Sequence, residues 1–451
     1  MTIMLSSCDS LLGLDSIQEQ INALEEKNND LQAEIDALKK ENDELKADIE
    51  SLNKENGELK AEVDEFKNNN SQSSDIYAAA LDFYPLPDGT YGVMAGNAIY
   101  MEKVVIPAEY NGKPVTQILP EAFLNATNLT DIVMPDSVTS IGYCAFLDCS
   151  SLTNVVISDS VTSIGDGAFY NCSSLVSVDV PDSVTSIGDG AFYNCSSLAN
   201  VVISDSVTSI GSSAFQGCSS LVSVDIPDSV TSIGDSAFYN CFSLTSVVIG
   251  DSVTSIDGYT FYGCSSLTSV VVGDSVTSIG SSAFARCSRL TGVVIPDSVA
   301  SIGENAFASC SSLASVVIGD RVTTIGSGAF QSCSSLASVV IPDSVTTIGY
   351  ITFQSCSSLT SVVIGDGVTS IDNWAFGWCY NLISVVIGDS VTSIGYGAFE
   401  GCSSITSAEF KDPNGWIIGG MHSLTPSELS NTSTAAQYLT SDYCYDIWSK
   451  Q

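Results

Sequence analysis

Histidine is all but missing from this 451-residue chain, with His422 its only copy. A serine–histidine triad, a histidine-rich zinc site and most general-base arrangements therefore lack their usual component. Basic residues are scarce as well: 14 stand against 52 acidic ones, for a formal charge of -38. Seven of them are lysines within the first 70 positions, and between Lys113 and Lys411 only Arg286, Arg289 and Arg321 are cationic. So acidic a surface repels phosphate backbones and anionic headgroups, so neither nucleic acid nor direct bilayer contact is expected of it. No run of 18 apolar residues occurs, so nothing in the chain as written spans a membrane. Nucleophile–base pairs, phosphate loops and metal-spaced clusters are also missing, which argues against an enzyme and against a cofactor.

What the chain has is a period. Phe123, Phe146, Phe169, Phe192, Phe215, Phe238, Phe261, Phe284, Phe307, Phe330, Phe353, Phe376 and Phe399 follow one another at intervals of 23 residues, without insertion or deletion. A fixed short period means one supersecondary unit copied and stacked, because a single copy cannot bury its own apolar side chains. In residues 152–172, Leu152, Val155 and Ile157 have the spacing of a strand lining a solenoid wall. Val161 and Ile164 mark a second short extended segment, and Ala168 and Phe169 plug the interior at a turn. Gly165 is expected to permit a backbone bend there. The fold class that follows is a β-rich solenoid of leucine-rich-repeat type, about 13 rungs, over 115–405. Residues 76–114, with their degenerate register, are expected to cap one end, and 406–451, with a short helix near 433–439, to cap the other.

Ahead of the solenoid the apolar period changes. Ile17, Leu24, Leu31, Leu38, Leu45, Leu52, Leu59 and Phe66 fill d positions, while Ile21, Asn28, Ile35, Asn42, Ile49, Asn56 and Val63 fill a positions. This pattern predicts a parallel coiled-coil stalk over 17–66 that makes a homo-dimer, with the asparagines fixing its register. At about 1.5 Å per residue the rod would be about 75 Å long. A polar hinge, 67–75, and a spacer, 9–16, flank it. Residues 1–8 end in Leu5-Ser6-Ser7-Cys8, which resembles a bacterial lipobox and makes Cys8 a candidate for lipidation. The basic and apolar segments of a signal peptide do not precede it, so such a signal reads as cut short. A lipid anchor at Cys8 would be the chain's one route to a membrane.

Three further columns repeat with the period. Twelve cysteines, from Cys149 to Cys402, occupy one, and they read as small buried thiols or as a disulfide ladder. Cys144 and Cys444 lie off that column, where exposure is expected. Twelve aspartates, from Asp136 to Asp389, occupy the second. Neighbouring carboxylates about 5 Å apart repel by about 1 kcal/mol in water, so each needs compensation. An Asx-type turn supplies it locally, and calcium between rungs is the sharper alternative. The third column points out of the strand wall: Asp179, Asp225, Val248, Val271, Val294, Val317, Val340, Val363 and Val386 belong to it. Its seven consecutive valines form either a partner-binding ribbon or a strand-forming template residue copied without purpose. Tyr170, Tyr193, Tyr239, Tyr262, Trp374 and Trp378 are candidate aromatic contacts on another face.

The pattern I-P-D-S-V-T-S-I-G-x-x-A-F-x-x-C-x-x-L at 226–244, followed closely at 341–359, resembles the BspA-like leucine-rich repeats. The segment from Phe410 to Trp416 resembles the stretch that commonly closes such proteins. The resemblance implies a surface protein of a bacterium or a protist, of a kind implicated in adhesion. It implies as partner a protein or glycan on a host or neighbouring cell. A passive spacer or surface coat is the alternative, favoured by the near identity of the repeats.

Overall fold

The computed structural model describes residues 74–450. The coiled-coil seam at 17–66 and Cys8 lie outside the described residues. A short helix, Ser74–Ala80, opens the described chain, followed by an antiparallel hairpin of Asp82–Pro85 with Tyr91–Met94. From there the chain winds as a solenoid of about 14 turns. Each rung has two strand walls and a third side made of turns.

One wall carries strands of three or four residues. Ser246–Ile249 pairs in parallel with Ser269–Val271, with Ser246 opposite Ser269 and Val247 opposite Val270. The other wall carries two-residue strands, such as Ser163–Ile164 beside Ser186–Ile187. Lys103 pairs with Asp131 and Tyr91 with Val115 at offsets other than 23 residues. From Gln117 onward every parallel register along the two strand walls is the 23-residue period itself, so each side chain meets its own equivalent in the next rung. This is why an uninterrupted period is so effective: one slip would set a valine against a serine for the rest of the stack.

The turn side is knit in two directions. Amides of Gly167, Phe169 and Asn171 donate forward to Asp189, Ala191 and Tyr193 of the next rung, each at 2.7 Å. Amides of Ala168, Tyr170 and Cys172 instead donate back within their own turn. Gly167 and Asn171 have positive φ, 61° and 57°, and their columns are mostly glycine, asparagine and serine. Glycine and asparagine take the left-handed region most readily. Gly165 is not among the positive-φ residues, and the bend expected of it is not its role. A Cβ at Gly165 would lie 2.8 Å from the carbonyl carbon of Gly142, so this glycine lets successive turns approach closely.

Inside, the thirteen phenylalanines are fully buried and form one stack. Neighbouring ring centroids lie 5.1–5.3 Å apart and no interplanar angle exceeds 11°. Leucine, valine and isoleucine columns fill the rest of the interior as one continuous core. Burial of each such side chain is worth roughly 1.5–3 kcal/mol, and only stacking supplies the second half of its cover.

Antiparallel strands end the parallel ladder. Trp448–Lys450 lies between Ser393–Ile394 and Trp416–Ile418, antiparallel to both. Lys450 Nζ is 2.8 Å from Asp412 and lies over the Trp416 ring. The Lys450 hydrogen bond holds the Asp412 carboxyl down at about 2. The helix Thr432–Gln437 packs on the strand Ser407–Phe410 and covers the end of the other wall. A bare parallel edge would otherwise offer unpaired amides to another chain.

Candidate interaction surfaces

Strand alternation decides which residues face out. In Ser246–Ile249, Val247 and Ile249 are buried while Ser246 and Val248 are exposed. The same alternation exposes Val271, Val294, Val317, Val340 and Val363, from 39% at Val363 to 63% at Val294. Val386 shares the column but is half-buried. Parallel pairing puts Val248 beside Val271, Val294 beside Val317, and Val340 beside Val363. The six steps of the ribbon span about 29 Å at ordinary strand spacing. Carboxylates mark both ends: Asp225 is opposite Val248, and Glu409 is opposite Val386. Asp179 lies further along the same column, opposite Val202. Serine or glycine occupies the neighbouring outward column from 246 to 384. The ribbon is therefore apolar and uncharged, on a molecule that is otherwise strongly acidic.

The six candidate aromatics fall into three columns rather than one. Tyr170 and Tyr193 stack at 4.3 Å, and Tyr239 and Tyr262 at 4.8 Å, with the Arg286 guanidinium 5.5 Å from the Tyr262 ring. These tyrosines are half-buried against each other. Trp374 and Trp378 occupy the two left-handed columns, with φ of 52° and 58°. Sequence reasoning missed Tyr350, Tyr396 and Tyr445, which stand exposed around Trp374. The available signal was Tyr350 and Tyr396, bulky aromatics in a column that mostly carries small or polar residues, whereas Tyr445 comes from the cap and belongs to no column.

The cysteine column consists of buried free thiols, with no disulfide. Each thiol donates to the carbonyl of a phenylalanine 26 residues earlier, as Cys172 does to Phe146 at 3.2 Å and Cys264 to Phe238 at 3.3 Å. Burial pushes the Cys264 and Cys356 thiols up to about 12 and raises seven others of the column as well. A thiol held protonated is neither a nucleophile nor a ready metal ligand. Cys144 is buried too, contrary to the exposure expected of it, because it fills a left-handed turn position against the next rung. Cys444 is partly exposed.

At five steps of the aspartate column the carboxylate accepts a backbone N–H from the next rung, where a local Asx turn was expected. The Asp251 amide donates to the Asp228 carboxylate at 2.9 Å, Asp320 to Asp297 at 2.8 Å, and Asp366 to Asp343 at 2.7 Å. Asp274 and Asp389 donate likewise to Asp251 and Asp366. All five donors follow a glycine, never a proline or serine. A Cβ at Gly250 would lie 2.6 Å from the Pro227 carbonyl oxygen, and one at Gly388 would strike that of Gly365. Glycine thus brings the amide within reach of the preceding carboxylate. Among the described residues, no three His, Cys, Asp or Glu side chains are placed to hold a metal ion. His422 stands exposed in the cap, its Nε2 3.3 Å from the Tyr443 hydroxyl.

The model of the BspA type leucine rich repeat region, six copies long, matches at residues 116–242, 185–314, 231–360 and 301–421. A leucine-rich repeat protein from Bacteroides ovatus is similar at 26% identity and a TM-score of 0.52, over 73% of this chain and 93% of that one. A leucine rich cell surface protein from Faecalibacterium prausnitzii is 26% identical over 74% of this chain and 93% of its own, with a TM-score of 0.41. The leucine rich repeat protein of T. pallidum is 28% identical over 47% and 89%, with a TM-score of 0.37. No curated protein matches. With the repeat model matched across 116–421, most of its length, the chain belongs to the BspA-type leucine-rich repeat proteins.

Proposed function

We propose that this protein is a non-enzymatic adhesion scaffold at a cell surface, and that the valine ribbon from Val248 to Val386 docks a protein partner. One observation carries the reading: an uncharged apolar strip about 29 Å long, bounded by Asp225 and Glu409, on a chain of charge -38. Contiguous exposed apolar surface on a soluble fold usually marks a partner. An outward row of strand side chains fits a protein surface better than a small molecule, for which a concave pocket is the rule. Family membership supports placement at the surface. The coiled-coil pattern at 17–66 supports display in pairs, and Cys8 supports attachment through lipid.

The near identity of the rungs favours a second reading, a passive spacer, because a tuned site departs from its template. The double change Val294→Lys and Val317→Lys separates the two. Both side chains point to water, so the melting temperature should stay within a few degrees of the parent. Binding to immobilised extracellular-matrix proteins and to intact epithelial cells should fall at least tenfold. Unchanged binding by a folded variant would leave the spacer reading standing.

A further inference from the structure

A second surface lies at the carboxyl-terminal end of the stack, away from the ribbon's column. Tyr350, Trp374, Tyr396 and Tyr445 form a row with ring centroids 5.9, 5.4 and 5.6 Å apart. The first three come from successive rungs and the last from the cap. The three tyrosines are 43%, 38% and 55% exposed, a large aromatic surface to leave in water. The row is also held in place. Trp374 Nε1 donates to Glu400 Oε2 at 2.7 Å, and the Tyr445 hydroxyl donates to Glu400 Oε1 at 3.2 Å, so one carboxylate fixes two rings. The Tyr396 amide donates to Asn373 Oδ1 at 2.8 Å.

Two independent features point to a ligand. Trp374 and Trp378 stand in left-handed columns, where most rungs carry glycine, serine or asparagine. Tyr259, Arg286 and Ile351 also stand in these columns, each with a small partner in its rung. Only here do both left-handed positions of one rung carry an aromatic, a departure a spacer has no use for. Beside the row opens a cleft of about 260 Å³ whose lining joins three isoleucines, Ile371, Ile394 and Ile447, to Ser370, Asp372, Asn373, Ser393 and Gly395. Asp372 and Asn373 immediately precede Trp374, and Gly395 precedes Tyr396. The cleft offers hydroxyls, an amide and a carboxylate, and no cation.

Aromatic faces beside mixed donors and acceptors suit one chemical class. A pyranose packs its C–H face on a ring while its hydroxyls need both donors and acceptors. The carboxylates of Asp372 and Glu400 disfavour sulfated or sialylated sugars. We infer that Tyr350, Trp374, Tyr396 and Tyr445, with the adjoining cleft, bind an uncharged oligosaccharide. This extends the adhesion reading to a second ligand class at a separate site, and it does not depend on the ribbon.

The test is calorimetric titration of the full chain with cellohexaose, laminarihexaose, chitohexaose and mannohexaose, with a heparin hexasaccharide as the anionic probe. At least one neutral hexasaccharide should bind saturably, and heparin should not. Trp374→Gly and Tyr396→Ala should each weaken that binding at least tenfold. Trp374→Gly relieves the left-handed strain, so its melting temperature should not fall, which separates lost contact from lost fold. Val294→Lys with Val317→Lys should leave sugar binding within twofold. Absence of saturable binding to every neutral probe, preferential binding of heparin, or binding indifferent to both aromatic changes would overturn the inference. Cell adhesion lost in the valine variant, with no sugar bound by the parent, would refute this site and leave the ribbon intact.

Discussion

At the scale of single residues, the buried thiols make the sharpest prediction. Nine column cysteines, among them Cys195, Cys264 and Cys356, have thiols raised by burial above the ordinary value of 9.0. A raised pKa in the folded state means the native chain keeps protons that the unfolded chain releases. The stabilisation is complete below pH 9 and declines as the pH climbs towards about 12, where Cys264 and Cys356 ionise in place. In that window each such thiol removes about 1.4 kcal/mol of stability per pH unit. The urea midpoint should therefore drop steeply between pH 9 and 11, and a Cys264→Ala, Cys356→Ala variant should show a shallower decline. A parallel decline in the two proteins would contradict this role for the thiols. That the thiols are packed and unbridged was one of the readings the sequence allowed, since a repeated small apolar residue fits an interior column. Their bond to a carbonyl 26 residues back was not legible, because it depends on how one rung's turn overlies the last.

At the scale of one rung, the phenylalanine period alone specified the solenoid, its register and the shared core. Outward and inward positions of the strand wall also followed from alternation, so the exposure of Val248 to Val363 was legible. The aspartate and glycine columns were misread, both for one reason. Local patterns invite local explanations, Asx turns and backbone bends, whereas in a stack the nearest atoms belong to the next rung. Gly165 faces Gly142, and Asp251 bonds to Asp228. The aromatic row escaped because Tyr445 reaches it from the cap, which has no period. Interchangeable rungs also carry a prediction. Deletion of residues 265–287, one full period, should leave a cooperative β-rich fold, with circular dichroism per residue near the parent's and a melting temperature lower by only a few degrees. Deletion of 265–276 shifts the register by half a rung and places polar groups in the core, so it should abolish the transition. Equal tolerance of the two deletions would refute shared-register stacking.

At the scale of the whole molecule, two outward surfaces stand on one stack, and both depart from an acidic background. The ribbon does so by lacking charge for seven rungs, and the aromatic row by breaking the template. Repetition makes the ribbon long and even, so a partner lying along it should engage several rungs at once. Single lysines placed in turn at Val248, Val271, Val294, Val317 and Val340 map the ribbon, with binding to one captured matrix protein or to epithelial cells measured for each folded variant. A docking ribbon requires the loss to fall on a contiguous block of at least three positions, each weakened at least tenfold. Binding undisturbed at every position, or losses scattered without regard to neighbours, would contradict it.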